Sequence, residues 1–245
     1  MTVKLPCVDF NTNLRLGRIE GMTLHAVNGR ANINTTLQGM QPDASIPALT
    51  ALRATPAVVE LASSNAADDT GGSGALTVLI EGLDENNLEV SETVIMDGQT
   101  EVATTQEFKA INKMTVVTAG AGGKNAGTIW CGSGTFTAGV PAVKYANIAI
   151  GANIGQSGQY TVPANKQAII HDVIIRNGAV VAVTGNIVTG GTALETQIDF
   201  LDISNGGFDY QGHHSIAAGD YLRVEALAAS AVNFSVEIAL ILVDV

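Results

Sequence analysis

The groups in this sequence able to bind a metal, attack a carbonyl or move a proton are four histidines, two cysteines and 23 carboxylates. His25 has no partner at ligand spacing. His171 falls on the apolar side of a run with Ile169, Val173 and Ile175, the pattern of a hydrogen-bonded core histidine. His213 and His214 are adjacent, so in a strand they point to opposite faces and suit a loop or an interface. None of the four stands in an HxH, HExxH or HxxxH pair, the spacings that hold zinc. Cys7 and Cys131 lack CxxC spacing and fit two buried thiols. Asp68-Asp69-Thr70-Gly71-Gly72 and Asp84-Glu85-Asn86-Asn87 lack the ligand pattern of a calcium loop and read as acidic turns. The glycine runs at 71–74 and 120–123 lack a Gly-Lys-Ser/Thr ending, and there is no Gly-x-Ser-x-Gly elbow. Polysaccharide cleavage would need folding to bring together an acid pair from Asp199, Asp202 and Asp209. These residues assign no catalytic centre, no cofactor and no metal, and an enzyme is not expected.

Charge separates the chain more sharply than chemistry does. Twelve basic residues against 23 acidic ones give a net charge of −11, and only 14% of the 245 residues are charged. Nucleic-acid binding is not expected, because it needs a basic footprint to displace counterions. Between Arg53 and Lys109 there is no base, whereas Glu60 to Glu107 holds eleven acids. Residues 1–59 carry +2 and residues 108–245 carry −2. Mean hydropathy is +0.26, yet no apolar run reaches the roughly 18–20 residues of a spanning helix. The start, MTVKLPCVDF, is not that of a signal peptide. A soluble protein without a membrane partner is expected.

The elements that must position these residues are strands. Short alternating segments are cut by glycine and asparagine throughout. Leu76, Val78 and Ile80 share one face; residues 88–96 form another strand and end at Asp97-Gly98, a two-residue hairpin signal that predicts 99–108 returning beside it. Lys113–Thr118 and Thr128–Cys131 follow, with Trp130 in a packing role. Gly132-Ser133-Gly134 to Pro141 reads as a linker or a crossing loop. Leu222, Val224 and Ala226 share a face, as do Phe234, Val236, Ile238, Leu240 and Leu242. Residues 1–55 show little sustained alternation, apart from a short possible helix near Pro47 to Ala54, and read as an arm or clasp. The expected fold is all-β: an N-terminal arm (1–55), an acidic β module (56–141) and a jelly-roll-like β-sandwich module (142–245). A single two-sheet sandwich with inserted loops is the alternative.

Two stretches carry a resemblance. The first runs through ASSNAAD at 62–68, GALTVLIEGLD at 74–84, EVSETV at 89–94, DGQT at 97–100, INKM at 111–114 and TAGAGGKNAGTI at 118–129. The second is YTVPANK at 160–166, followed far downstream by FSVEIALILVD at 234–244. Together they resemble a group of tailed-bacteriophage virion structural proteins over roughly residues 60–130 and 158–245. Asn165 stands where that group has glycine, and the first 55 residues match weakly. The resemblance implies a β-rich, non-enzymatic protein of the virion, assembled in the host cytoplasm.

The expected role is head decoration or cement, in a homo-oligomer contacting the major capsid protein or other virion proteins. Arg15, Arg18, Arg30 and Arg53 of the arm would dock on an acidic capsid surface or on a neighbouring subunit's 60–107 region. The alternative is a tail, fibre or vertex protein that binds the host surface or its glycans.

Overall fold

Alternating side chains with Gly and Asn at the breaks give an all-β chain of small antiparallel sheets, with one short helix, α1 (Phe10–Arg15), among the described residues. The computed structural model describes residues 10–40, 55–177, 181–191, 195–203, 207–210 and 214–245. Sheet I has the order β1 (Met22–Ile33), β17 (Val232–Asp244), β11 (Lys166–Asn177), β14 (Gly207–Tyr210), with β15 (His214–Ile216) also on β11. Sheet II runs β10 (Gln159–Thr161), β16 (Tyr221–Ala228), β12 (Val183–Gly190), β13 (Glu195–Ile203), with β2 (Gln38–Gly39) also on β16. Sheet III is β6 (Val102–Phe108), β3 (Ala57–Ser63), β8 (Ile129–Thr137), β9 (Val140–Ile148), and sheet IV is β5 (Glu89–Ile95), β4 (Ala75–Leu83), β7 (Ala110–Ala119). Most buried apolar side chains fall into two clusters. Sheets I and II share one that includes Ile33, Tyr160, Ile175, Leu222 and Phe234. Sheets III and IV share the other, with Leu61, Ile80, Phe108, Met114 and Ile148.

The strongest periodic segments behave as their patterns require. Phe234, Val236, Ile238, Leu240 and Leu242 are all buried, as are Leu222, Val224 and Ala226. Each of these side chains other than Ala226 contributes about 1.5–3 kcal/mol on leaving water. His171 does not follow its pattern. The β11–β17 ladder pairs Ile170 with Leu240 and then Asp172 with Ala239, leaving His171 as a bulged residue. The bulge changes the parity of the strand, so Ala168 and Ile170 are buried on one side of it, Val173 and Ile175 on the other, and His171 is half-exposed.

The N-terminal region differs most from expectation. Residues 22–33, placed in an arm by the sequence, form a twelve-residue strand paired with β17 along its whole length. Val27, Ala31 and Ile33 enter the core. Alternation is weak in β1 because two of its inward positions, Gly29 and Ala31, are small. Close approach explains the smallness at Gly29, where a Cβ would lie 2.8 Å from the Gly158 Cα and 2.9 Å from the Val236 Cγ1. The possible helix at 47–54 lies outside the described residues.

β2 and β10 lie end to end on one partner. β10 pairs with Tyr221, Leu222 and Arg223, and β2 with Glu225 and Ala226. The gap closes through Val224, whose C=O accepts from Met40 N (2.9 Å) and whose N–H donates to Gly158 O (2.8 Å). Gly158 N in turn donates to Met40 O at 2.6 Å. Residues 38–40 and 158–161 therefore act as one edge strand, and sheets III and IV are inserted at its break.

Two loops also differ. The 132–141 segment is no linker: it belongs to the β8–β9 pair, turned at Ala138 and Gly139, both with positive φ. Asp97-Gly98 does make a tight turn, with Thr100 N bonded to Asp97 O (3.0 Å), but β5 and β6 go to different sheets. Glu92 of β5 bridges the gap, its carboxylate accepting from Thr105 N and Gln106 N at 2.8–3.0 Å. Asn165 does not adopt a left-handed φ.

Candidate interaction site

The four arginines expected to dock together are not one patch. Arg15 ends α1, and Arg18 lies in the turn before β1, its N–H bonded to Asn13 O (2.9 Å). Arg30 is eight strand residues beyond Met22, about 27 Å along β1. All three are exposed. Arg53 lies outside the described residues. Leu14 is 3% exposed and α1 contacts β1, so the helix belongs to the body of the protein.

Sheet I instead brings Arg30 close to Arg176, far outside the N-terminal region. Arg30 pairs with Ser235 of β17, and Ser235 pairs on its other side with Arg176 of β11. At about 4.8 Å between strands, the two arginine Cα atoms are roughly 10 Å apart on one outward row. The flanking residues on all three strands, including Ala31, Phe234, Val236 and Ile175, point into the core, which fixes the outward direction of the row. A groove of about 360 Å³ lies over it, lined by Asn28, Arg30, Gln156, Arg176, Asn233 and Glu237 among others. Arg176 Nη1 is 3.8 Å from Glu237 Oε2, a pair exposed on both sides. Arg30 makes no ion pair among the described residues. The outward parity of Arg176, next to buried Ile175, was available in the sequence, but its pairing with β17 was not.

Arg223 shows the opposite fate for a guanidinium. Its Nη1 and Nη2 donate to the two oxygens of Glu195 (2.7 and 3.2 Å), and its Nε donates to Glu225 (2.8 Å). Hydrogen bonds from Arg223 and the Tyr221 hydroxyl hold the Glu195 carboxyl below its ordinary range. Tyr221 packs on Tyr145 of β9, so this network ties sheet II to sheet III.

A polar cleft of about 260 Å³ lies along the seam where sheets I and II meet sheet IV. His25 and Tyr160 from one side meet Glu81, Glu89, Asn112 and Lys113 from the other. The His25 ring packs against Tyr160 at a tilt of 38° with centroids 4.4 Å apart, and Lys113 Nζ is 3.4 Å from Glu81. Burial pushes the His25 pKa down, nearby Lys113 adds to this, and Glu81 opposes it. Burial also raises the Tyr160 hydroxyl well above its usual value. The Asn112 amide clamps the two sides: Nδ2 donates to Thr161 O (2.8 Å) and Oδ1 accepts from Thr161 N (2.9 Å).

The other sequence candidates take structural positions. Asp68 is buried, and its carboxylate accepts from Ser63 Oγ and from the backbone N–H groups of Ala75, Ala126 and Gly127 at 2.5–2.8 Å. These four donors take up the oxygens that a cation would need. Asp84 closes its own turn, accepting from Asn86 N and Leu88 N. His214 Nε2 bonds to Thr189 Oγ1 at 2.6 Å, and His213 lies outside the described residues. Cys131 is buried, and Cys7 is outside the described residues. Trp130 is 7% exposed, with Lys144 Nζ 4.4 Å from its ring centroid. Asp199 is exposed on β13, and the side chains of Asp202 and Asp209 are outside the description. No helix among the described residues is long and apolar enough to cross a membrane.

No protein-family model matches this chain, and no curated protein matches it in sequence. Among solved structures, one that aligns is the structure of the infectious bursal disease virus Gx strain. The alignment spans 92% of this chain and 73% of that one, at 10% identity and a TM-score of 0.22. A score this low does not show a common fold. The tailed-phage resemblance gains no family match from these comparisons.

Proposed function

We propose that this chain is a non-enzymatic virion structural protein of a tailed phage, a head decoration or cement component built on a jelly roll. The observation that carries this is strand order. Taking β1, the composite β2/β10 edge, β11, β12, β13, β14 with β15 (both along β11), β16 and β17 as eight successive strands, sheet I reads 1-8-3-6 and sheet II reads 2-7-4-5. Strands 1 and 8, 2 and 7, 3 and 6, and 4 and 5 are all antiparallel neighbours. That is one long hairpin rolled into two sheets, the arrangement recurrent in capsid and lectin domains. Fold alone assigns no function, and the resemblance of 160–166 and 234–244 supplies the virion reading; both segments belong to this roll. Its interior is filled by aliphatic and aromatic side chains, which suits a load-bearing shell component. Sheets III and IV then form a second, acidic sandwich carried on the edge strand. Quantitative mass spectrometry of purified virions tests the reading: a copy number comparable to that of the head subunits is expected, and absence from the particle would overturn it.

The seam cleft favours a second reading, a tail, fibre or vertex protein that binds a host glycan. A pocket at a boundary between sheet pairs, with a tilted His25–Tyr160 ring pair and several convergent polar groups, has the chemistry for one sugar unit. Here a low copy number is expected, together with glycan-array binding that Asn112→Ala or Lys113→Ala abolishes.

A further inference from the structure

We propose that the Arg30–Ser235–Arg176 face of sheet I docks the acidic tip Asp69/Asp97/Glu101 of a second copy of this chain. The inference rests on the reading of an assembled virion component and names the contact between its copies. On one side, two guanidinium groups stand roughly 10 Å apart across three strands, over a groove of about 360 Å³. Among the described residues the only carboxylate lining that groove is Glu237, already beside Arg176, so Arg30 is left there with no anionic partner. On the other side, Asp69 and Asp97 face each other across an isolated antiparallel bridge, and exposed Glu101 follows four residues later. That tip belongs to the sheet pair of residues 55–157, which holds eleven carboxylates against four lysines. A folded chain with excess acid on one sheet pair and an arginine without an acidic partner on the other is complementary to its own copy.

Geometry then limits the assembly. The two patches differ, so the contact is heterologous, and successive copies form a closed ring or an open array rather than a two-fold dimer. Exposed ion pairs are individually weak and screened by salt, so association of free chains belongs at high concentration and low ionic strength. A particle surface supplies that concentration.

Sedimentation velocity of the full chain, across concentration at low and high salt, reads this directly. The wild-type chain is expected to form species larger than a monomer that dissociate as salt rises. R30E with R176E should weaken association at least about tenfold, D97K with E101K should do the same, and all four together should restore it. All four side chains are exposed, and near-UV circular dichroism checks that each variant folds. If charge reversal at 30 and 176 prevents folding, R30Q with R176Q takes its place. A wild-type chain monomeric at every condition, association unchanged by R30E with R176E, or a swap that restores nothing would overturn the proposal. A chain found in virions yet monomeric sinks this contact and leaves the virion reading; one that assembles through these arginines but is absent from virions does the reverse.

Discussion

Asp68 organises a loop region that has little regular structure of its own. It sits buried where the 63–75 loop meets the 125–127 segment, and one carboxylate answers four donors from both. Asp68→Ala leaves three backbone N–H groups and a hydroxyl without an acceptor, each lost partner carrying a penalty of about 1–3 kcal/mol. A loss of about 3 kcal/mol or more is expected in urea unfolding; a change under about 1 kcal/mol would show that water replaces the carboxylate. His25 gives a pH dependence whose sign follows from its environment. Its folded pKa is lowered from 6.5, so the unfolded chain binds the proton more readily. The contribution is fully present above about pH 6.5 and is lost as pH falls through the lowered folded value. Urea midpoints of wild type and His25→Phe, compared between about pH 7.5 and about pH 5, should show a steeper acid decline in wild type. Equal slopes would mean that another group titrates.

At the scale of elements, turns decide which strands meet. The β8–β9 turn needs left-handed backbone at both Ala138 (φ 48°) and Gly139 (φ 77°). A Cβ at Gly139 would stand 1.8 Å from the Ser63 carbonyl oxygen, next to the strand that feeds Asp68. Gly139→Ala therefore combines backbone strain with a clash against main chain, and a loss of about 2 kcal/mol or more is expected. Thermal unfolding followed by Trp130 fluorescence would report it, since Trp130 lies on the affected strand. Asp97-Gly98 shows why a correct turn signal can still misplace a strand. A two-residue turn is local, but the partner of β6 is β3, some forty residues away, and Glu92 holds the edges of β5 and β6 together by side chain alone.

At the scale of the molecule, the break in the sheet II edge strand sets how the two sheet pairs are joined. The chain leaves at Met40 and returns at Gly158, with the Gly158 N only 2.6 Å from the Met40 O. Ends this close make insertion at the edge compatible with an intact sheet. Removing residues 41–157 and joining Met40 to Gly158 is expected to leave a chain that unfolds cooperatively with a strand-type circular dichroism spectrum. A molten or aggregated product would show that sheets III and IV are needed to hold β10 in place. The same arrangement alters the meaning of charge: residues 22–40, read as a basic arm, are part of the body, and deleting the first 55 residues would remove β1 and β2 with any docking function.

Strand identity was legible wherever a run of large apolar residues alternates with polar ones, as in Phe234 to Leu242, because inward and outward positions are set by the backbone's own period of two. The all-β class and the confinement of excess acid to 60–107 follow from the sequence in the same way. Tertiary structure decided the rest. β1 was hidden because a close crossing with Gly158 requires glycine where a larger apolar residue would have signalled a strand. His171 was misplaced because a single bulged residue reverses the parity on which the pattern depends. Arg30 and Arg176, 146 positions apart in the sequence, become neighbours only through β17, the strand between them, since pairing is a long-range choice that local periodicity does not encode.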